Sequence, residues 1–292
     1  MEHKDIVVII NPNSGKQKAE SIRDDIRTMY PDIHCEITES TEAFNDFMYL
    51  NIGRYRTFVI AGGDGSVNAA ANYLAGKNKS MAVYPTGSGN GFARELGFKP
   101  NIKHLIEDIL KNKTLEIDVL EVNDNICVNM AGLGFDAQVA HDFAKTKKRG
   151  FLNYAKLTIS SAFSFPAFDA EIQTGDKTFT GKYKMISAAN TRQFGNNAII
   201  APKARPNDGL TDLVLLKDIS VAKMTAFGIR LMTGTLKPSD NLHFLSTDSE
   251  ITIRSDFKQY HIDGDPKIFD DELRINLSDK KLNLIKTRHN RL

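Results

Sequence analysis

The stretch from Gly62 to Asn68 has the residue types of a phosphate-binding turn. It reads Gly-Gly-Asp-Gly-Ser-Val-Asn after the apolar run 57–61, so the sequence predicts a buried strand that enters a glycine turn and then a helix. Glycines let a ligand lie against bare backbone, and the N–H groups at a helix N-terminus attract an anion. Asp64 would repel a phosphate unless a divalent cation stood between them, which indicates a Mg-nucleotide. A plain strand-to-helix turn is the alternative.

Two further loops of the same kind support the phosphate interpretation. Residues 85–91 read Pro-Thr-Gly-Ser-Gly-Asn-Gly after the apolar run 81–84, and residues 11–15 read Asn-Pro-Asn-Ser-Gly after the apolar run 6–10. Loops that follow successive parallel strands lie side by side at the carboxyl edge of a sheet, where open α/β folds bind ligands. The sequence has neither a P-loop nor a dinucleotide fingerprint and therefore predicts another type of phosphate site.

A second acidic turn lies near the end of the chain. Asp263-Gly264-Asp265 follows the strand candidate 259–262 and precedes Pro266. Two carboxylates two residues apart could divide the roles of general base and metal ligand. Because Asp-Gly is also common at hairpin corners, the residues alone favour a surface turn.

The order and spacing of these blocks resemble a known family. The chain is similar to the diacylglycerol and sphingosine kinase superfamily of lipid kinases, and in particular to its bacterial diacylglycerol-kinase-like members. The resemblance covers nearly the whole chain. The blocks that carry it are 11–15, 62–65, 87–90, 129–136, 200–204, 208–210 and 263–265.

The resemblance implies ATP and Mg as cofactors and gives roles to residues of the three loops. Phosphoryl transfer requires that the γ-phosphoryl group is held in line, that its charge is neutralised, and that the acceptor hydroxyl is oriented or deprotonated. Asp64 is expected to act on the metal, Ser88 to donate to a phosphate and Thr38 to contact the nucleotide. The expected nucleotide-binding residues are Asn11, Ser14, Gly15, Thr38, Gly62, Gly63, Asp64, Gly65, Ser66, Asn68, Gly87, Ser88, Gly89 and Asn90.

The resemblance also reverses the interpretation of the acidic turn. The general base of the family occupies the position of Asp263, so this residue is expected to deprotonate the acceptor. Asp265 stands where the family usually has Glu, and a carboxylate shortened by one methylene group could still act through a water molecule. The expected catalytic residues are therefore Asp263, Asp265 and Asp64.

A separate Mg site is implied in the second half of the chain. There the Asp208 carboxylate would bind the ion together with the backbone carbonyls of Arg205 and Leu210, an all-oxygen set that suits a hard cation. From the residues alone, a plain turn at 207–209 is the stronger interpretation.

Composition is that of an ordinary soluble enzyme. The 292 residues suffice for one large or two moderate domains, and 38 Lys and Arg against 36 Asp and Glu are too balanced to favour nucleic acid as a partner. The only cysteines, Cys35 and Cys127, indicate no disulfide framework and fit a reducing compartment. Without a signal-peptide or membrane-spanning pattern, we expect a cytoplasmic protein that visits the inner membrane surface to reach a membrane lipid substrate. A homodimer is possible.

The order of predicted helices and strands changes near residue 122. Residues 1–122, rejoined by about 281–292, predict a doubly wound α/β domain with a parallel sheet that binds ATP. Residues 123–280 predict a β-rich domain, an antiparallel sandwich that holds the lipid. From residue 114 onward, the predicted strands are 114–122, 126–131, 169–174, 178–188, 210–216, 250–255, 259–262 and 272–277, and the predicted helices are 136–163 and 221–232.

Other features have ordinary explanations. The basic run 145–149 could face a membrane, although a solvated helix end is the more common role of such a run. Aromatic residues within 151–168 could line a lipid cleft, and core packing explains them equally well. His261, two residues before the expected base, is interpreted as a strand residue.

The sequence thus predicts an ATP- and Mg-dependent lipid kinase, with diacylglycerol and a sphingoid base as competing acceptors. Asn90-Gly91 stands where bacterial diacylglycerol kinases usually carry Asn-Asp, and the loop is closer to that of sphingosine and ceramide kinases. Two alternatives stay open. One is an NAD kinase, which shares the Gly-Gly-Asp-Gly block, and the other is a lipid- or nucleotide-binding regulatory protein with weakened catalysis.

Overall fold

The computed structural model describes residues 1–15, 18–145 and 164–290, and the chain divides into two compact units. Unit 1 comprises Met1–Ile117 and Asp279–Leu292, and unit 2 comprises Asp118–Ser278. The division falls between residues 117 and 118, whereas the sequence placed it near 122. The strand Thr114–Val122 runs through this position without a change of composition, and the sequence therefore gives no local signal for the boundary.

Unit 1 is built on a parallel sheet, which confirms the predicted doubly wound architecture. Its strands are β1 (Ile6–Ile10), β2 (His34–Ile37), β3 (Thr57–Gly62) and β4 (Ser80–Pro85). They lie in the order β2-β1-β3-β4, and the last strand of the chain adds Asn283 and Leu284 in parallel beside β4. Every residue of β1 and β3 is buried, as strands covered on both faces require.

The register of the sheet brings the ends of its strands together. Ile10 pairs with Ile37 of β2 and with Ala61 of β3, and Gly62 pairs with Pro85 of β4. Because these strands are parallel, the loops that follow them leave the sheet at one edge.

Five α-helices connect or follow these strands. They are α1 (Ala19–Met29), α2 (Thr41–Asn51), α3 (Asp64–Leu74), α4 (Gly91–Glu95) and α5 (Ile102–Leu110). Ser40 and Asn101 begin α2 and α5 as N-caps, because their side chains accept hydrogen bonds from the N–H groups of Ala43 and His104. Helix α1 buries Ala19, Ile22 and Ile26, while Met29 at its last turn is 43% exposed.

The C-terminal segment is tied to unit 1 by an ion pair between exposed Arg288 and buried Asp108. The Arg288 guanidinium donates to both carboxylate oxygens of Asp108 on α5, and the Arg288 N–H donates to Asp108 Oδ2 at 3.0 Å. Burial alone would raise the pKa of Asp108, but the hydrogen bonds from Arg288 and Lys111 outweigh it and hold the pKa at about 2.

Unit 2 is mainly antiparallel and belongs to the β-sandwich class. Its described strands are β5 (Thr114–Val122), β6 (Asn125–Cys127), β7 (Met130–Gly134), β8 (Phe168–Thr174), β9 (Lys177–Ala189), β10 (Thr211–Lys217), β11 (Leu242–Thr247), β12 (Ile251–Ser255), β13 (Gln259–Ile262), β14 (Asp265–Ile268) and β15 (Leu273–Ile285). The sheet has the order β14-β13-β7-β9-β8-β12-β15, while β10 pairs with both β9 and β11, and β5 pairs with β6. Among the described residues, unit 2 has the helices α6 (Phe135–Lys145) and α7 (Val221–Thr233).

The structure corrects several predicted elements of this unit. The predicted strand 126–131 is two strands, β6 and β7, because the N–H groups of Val128, Asn129 and Met130 turn toward a side chain instead of a neighbouring strand. The short strands β11 and β14 were not predicted. Helix α6 covers the start of the predicted helix 136–163, and the part after residue 145 lies outside the described residues.

Candidate active site

The three glycine loops of unit 1 meet at the carboxyl edge of its sheet. Asn11 Nδ2 donates to Ser66 Oγ at 2.9 Å, which joins the first loop to the second. Thr86 Oγ1 donates to Ser14 Oγ at 2.9 Å, and the Thr86 N–H donates to the Gly62 carbonyl at 3.1 Å, so the third loop is joined to both others. Thr38 follows β2 at the same edge, where its N–H donates to the Ile10 carbonyl at 3.0 Å.

Bare backbone is a steric requirement where these loops touch. A Cβ atom on Gly87 would lie 2.7 Å from the Gly63 Cα atom, and one on Gly62 would lie 2.5 Å from the Ser66 Cβ atom. Gly15 has a φ of +79°, and a Cβ there would overlap the Thr86 carbonyl. The glycines therefore let the loops close on one another and leave their N–H groups at the edge of the sheet.

Helix α3 points its N-terminus into this edge. The helix has Gly63 as its N-cap, without a side-chain capping bond, and it begins at Asp64. Asp64 Oδ1 accepts from the Phe92 N–H at 3.3 Å, which connects the carboxylate to the first turn of α4. Gly65 and Ser66 lie in the first turn of α3, and the Asn68 amide oxygen accepts from Asn72 Nδ2 at 3.2 Å. A helix of this length supplies a partial positive charge for an anion, and Asp64 adds an oxygen ligand for a cation.

Asn90 leaves a buried oxygen without a partner beside the third loop. Its backbone is left-handed, with a φ of 49°, and the residue is 8% exposed. Asn90 Nδ2 donates to the Gly87 carbonyl at 2.6 Å, while its Oδ1 atom accepts no hydrogen bond within the described part of the chain. A buried acceptor of this kind needs a ligand or ordered water. Ser88 lies exposed at the tip of this loop, and Gly89 approaches Asp64 Oδ2.

The Asp263 carboxylate of unit 2 is held by a cage of donors. Oδ1 accepts from the N–H groups of Asn129 at 2.8 Å and Met130 at 3.0 Å, and Oδ2 accepts from the Val128 N–H at 2.9 Å. The Cys127 thiol completes the cage, with its Sγ atom 3.2 Å from Oδ1. Burial and the nearby Asp263 carboxylate raise the pKa of this thiol well above its ordinary value, so Cys127 stays protonated and donates. Asp263 itself has a φ of 51°, which Asp tolerates better than most residues.

A buried histidine supports the turn after Asp263. The Gly264 N–H donates to His261 Nδ1 at 3.4 Å, and His261 Nε2 lies 3.3 Å from Asp136 Oδ2. Ser187 Oγ also donates to that Asp136 oxygen, at 2.9 Å. His261 is a strand residue in β13, as the sequence indicated, and its ring also positions the acidic turn. The sequence did not single out Cys127, Asp136 or Ser187 for roles around this turn. The only sequence feature that pointed to this region was block 129–136, which is part of the family resemblance.

Asp265 differs from Asp263 in its surroundings. It begins β14 and is exposed, although protein surrounds much of its carboxylate. This desolvation, together with the Asp263 carboxylate, raises the pKa of Asp265 above its ordinary value.

The third group of expected site residues forms a closed turn. The Leu210 N–H donates to Asp208 Oδ1 at 3.2 Å, and the Gly209 N–H donates to Asp118 Oδ2 at 2.8 Å, with a Gly209 φ of +73°. This is the plain turn that the residues alone favour. Its carboxylate and carbonyls are also the oxygen ligands that Mg prefers. Among the described residues, no group of three or more acidic, His or Cys side chains is arranged to hold a metal by side chains alone.

Two sequence features fall partly or wholly outside these sites. Of the basic run 145–149, residues 146–149 lie outside the described residues, as do the aromatic residues up to 163. Phe165 and Phe168 are core residues that pack against Phe257. Within the described part of the chain, no helix has the length and apolar character to cross a bilayer.

Comparisons with known proteins agree with this geometry. Residues 5–122 match the model of the diacylglycerol kinase catalytic domain, and residues 129–269 match the model of the YegS C-terminal NAD kinase beta sandwich-like domain. A Shewanella frigidimarina protein described as "Probable lipid kinase YegS-like" is 34% identical over 188 residues, which span 62% of this chain and 58% of that protein. A diacylglycerol kinase of Bacillus subtilis is 24% identical over 268 residues, 88% of each chain.

Solved structures share the fold. A diacylglycerol kinase from Bacillus anthracis has a TM-score of 0.76 at 17% identity and covers 99% of this chain, which covers 98% of that one. An NAD kinase from Archaeoglobus fulgidus in complex with ATP has a TM-score of 0.56 at 13% identity, with coverage of 97% and 94%. The fold and the loop edge define a two-domain kinase-type protein, with an α/β domain followed by a β-sandwich. Within that class, the chain belongs to the diacylglycerol-kinase-like family of lipid kinases.

Proposed function

We propose that this protein is an ATP- and Mg-dependent lipid kinase that transfers the γ-phosphoryl group of ATP to a lipid hydroxyl. The observation that carries the proposal is the loop edge of unit 1, where glycine backbone, the N-terminus of α3 and the Asp64 carboxylate meet. Relatives named as lipid kinases support the class of reaction. The ATP complex of an NAD kinase with this fold supports ATP as the nucleotide.

The loop edge fits a Mg-nucleotide in its donor chemistry. Asp64 supplies a carboxylate, and Asn90 Oδ1 supplies a buried oxygen with no partner in the described chain. In the proposal, Asp64 holds the ion, directly or through water, and the ion neutralises charge on the phosphates. The N–H groups of the glycine loops and of α3 hold the phosphate oxygens, while the Ser88 hydroxyl donates to one of them.

Asp263 is the proposed general base. The donor cage fixes its carboxylate in one orientation, and a base must be held within hydrogen-bond reach of the hydroxyl that it deprotonates. The protonated Cys127 thiol adds a donor to the cage where a thiolate would repel the carboxylate. Asp265 is exposed and has a raised pKa, which suits a group that passes the abstracted proton to solvent.

The proposed acceptor is diacylglycerol, with a sphingoid base as the second candidate. The Bacillus subtilis relative named diacylglycerol kinase, which aligns over 88% of the chain, favours the first. The Asn90-Gly91 pair at the start of α4 favours the second, because this loop resembles that of sphingosine kinases. Both candidates present a hydroxyl on a lipid that stays in a bilayer.

The turn that contains Asp208 is proposed as a separate Mg site. The ligands would be the Asp208 carboxylate and the carbonyls of Arg205 and Leu210. Burial and, to a lesser degree, the Asp208 carboxylate raise the pKa of nearby Asp212. A cation at the turn would offset the charge of Asp208.

The test is transfer of radiolabelled phosphate from ATP to diacylglycerol, sphingosine, dihydrosphingosine, ceramide and monoacylglycerol in mixed micelles with Mg. We expect product on one lipid with the wild type and with Asp256→Asn, an exposed acidic control in unit 2, and none with Asp263→Asn. Full activity of Asp263→Asn would refute the base assignment. Formation of NADP without any lipid phosphate would identify an NAD kinase. Binding of nucleotide and lipid without turnover would indicate a regulatory protein.

A further inference from the structure

Helix α7 of unit 2 is firmly anchored along its inner face. Met224 and Phe227 are buried in the core of the unit, and the Phe227 ring lies 6.5 Å from that of Phe135. The Ile199 N–H donates to the Leu231 carbonyl at 2.9 Å. Gly234 ends the helix in the left-handed conformation that suits glycine at this position. The helix is therefore a fixed part of the unit.

Next to this inner face, α7 carries an exposed apolar strip, which we call the outer face. Val221 is 67% exposed, Ile229 is 61% exposed and Met232 is 49% exposed. At about 3.6 residues per turn, these three residues fall along one stripe of the helix, with Thr225 and Gly228 between them. A Cβ atom added to Gly228 would meet no atom of the described chain within 4 Å. A continuous apolar stripe on a rigid helix is a feature that soluble surfaces usually avoid.

The charges on and beside α7 are mainly positive. Between residues 217 and 240 the sequence has four cations, Lys217, Lys223, Arg230 and Lys237, against two acidic residues, Asp218 and Asp240. Lys223, Arg230 and Lys237 are exposed. Helix α2 of unit 1 provides a contrast, because it exposes Leu50 by 76% but carries acidic residues and no Lys or Arg. Of these two helices, only α7 combines exposed apolar residues with an excess of cations.

We infer that the outer face of α7 is a docking surface for an anionic lipid bilayer. A helix with exposed apolar residues on one side and cations on its polar side binds in the interfacial plane of a membrane, where its apolar side enters the acyl boundary and its cations meet anionic headgroups. The excess positive charge favours an anionic bilayer over a second copy of this chain, because a second copy carries the same excess on its own α7. The inference rests on the proposed function in that a lipid kinase must meet a bilayer.

The first test measures sedimentation of the full chain with vesicles, without nucleotide, so turnover plays no part. The vesicles contain phosphatidylcholine either alone or mixed with phosphatidylglycerol. We expect wild-type binding to the mixed vesicles, weakened by salt, and about a tenfold lower partition for the double variant Ile229→Asp with Met232→Asp. Leu50→Asp is the matched control, and its binding should equal that of the wild type. All changes are at exposed positions, and thermal unfolding checks that the fold is retained.

The second test uses the absence of tryptophan from the sequence. Ile229→Trp introduces a single fluorophore into the outer face, and Leu50→Trp introduces one into the control helix. On mixed vesicles, we expect the emission of Ile229→Trp to shift to the blue and to be quenched by brominated lipid, with no change for Leu50→Trp. Arg230→Glu should reduce partition into the anionic vesicles and leave the unfolding temperature unchanged.

Several results would overturn the inference. These are a wild type that does not bind mixed vesicles, a double variant that binds as well as the wild type, and equal quenching at both tryptophan positions. A dimer of the wild type in light scattering, dissociated by the double variant, would make the outer face a self-association surface instead. If no lipid is phosphorylated but vesicle binding depends on α7, the proposed function fails and the docking surface stands.

Discussion

The two acidic sites are built in opposite ways. In unit 1, the loops at the sheet edge are each local in sequence, and their function depends on backbone that no side chain covers. In unit 2, a single side chain, Asp263, is satisfied by backbone N–H groups that lie more than 130 residues earlier, from Val128 to Met130. The first site is proposed to receive a ligand on bare backbone, and the second is a carboxylate built into the frame of its unit.

This difference has a thermodynamic consequence. Asp263 satisfies three buried N–H groups and a buried thiol, so its removal leaves several donors without acceptors. Asp64 is only partly buried, and its carboxylate accepts from the Phe92 N–H at a longer distance of 3.3 Å. The Asp263 carboxylate therefore contributes to stability as well as to the proposed chemistry, whereas the proposed role of Asp64 is mainly to bind the ligand.

The sharpest test of this contrast compares Asp263→Ala with Asp64→Ala. We expect Asp263→Ala to lower the free energy of unfolding by about 3 kcal/mol or more, since each buried donor without a partner costs about 1–3 kcal/mol. Asp64→Ala should cost less than about 1 kcal/mol. Kinase activity should fall by about 10²-fold or more in both. Denaturant unfolding and the lipid kinase assay measure the two quantities, and equal destabilisation by the two changes would contradict the contrast.

The next effect in size concerns the closed packing of the loops. Gly87→Ala would place a Cβ atom 2.7 Å from the Gly63 Cα atom, so the loops must separate. We expect nucleotide affinity to fall by about tenfold and stability by about 1–3 kcal/mol, as overpacking elsewhere does. Calorimetric titration with Mg-ATP measures the first. Gly53→Ala, where a Cβ atom meets nothing described within 4 Å, is the control and should bind nucleotide normally.

The sequence predicted the position of the loops of unit 1 better than the surroundings of Asp263 in unit 2. Strand, turn and helix follow one another within each loop of unit 1, so periodicity and glycine content are enough to predict the parallel sheet and its edge. For unit 2, the Asp-Gly pair at 263–264 by itself predicts only a hairpin corner. The resemblance of the chain to the lipid kinase family was needed to suggest that Asp263 is a general base. The donor cage could not be predicted, because it depends on the pairing of β7 with β13, which are distant in the chain.

The same reason explains the wrong strand at 126–131. Its residues have a good strand pattern, and the break comes from the Asp263 carboxylate, which takes the N–H groups that a continuous ladder would use. The β-propensity of a segment does not depend on a hydrogen-bond acceptor that comes from a distant part of the sequence, so it could not predict this break. The difference between the observed boundary, at residues 117 and 118, and the predicted one, near 122, has a similar origin. A single strand, β5, runs through both positions.

A third test asks what holds the C-terminal segment in unit 1. Because the folded pKa of Asp108 is about 2, below its ordinary value of 3.8, the carboxylate contributes stability above pH 3.8 that is lost as the pH falls toward 2. Arg288→Met should therefore lower the free energy of unfolding near neutral pH, and the difference from the wild type should shrink as the pH falls through that window. Arg274→Met, at an exposed ion pair with Glu272 in unit 2, should have little effect.

Urea unfolding between neutral pH and about pH 3 measures this difference, and a gap that stays constant with pH would assign the cost to lost packing instead of the ion pair.

The smallest expected effect concerns the proposed Mg site at Asp208. Mg that binds the folded protein stabilises it by mass action, so addition of Mg without nucleotide should raise the unfolding temperature of the wild type by a few degrees. Asp208→Asn keeps the Asx-type hydrogen bond to the Leu210 N–H but removes the charge, and the shift should disappear. Asp64→Asn controls for the loop edge of unit 1 and should keep the shift. A shift that follows Asp64 and not Asp208 would assign the nucleotide-free Mg site to unit 1, and the turn at 208 would then be structural alone.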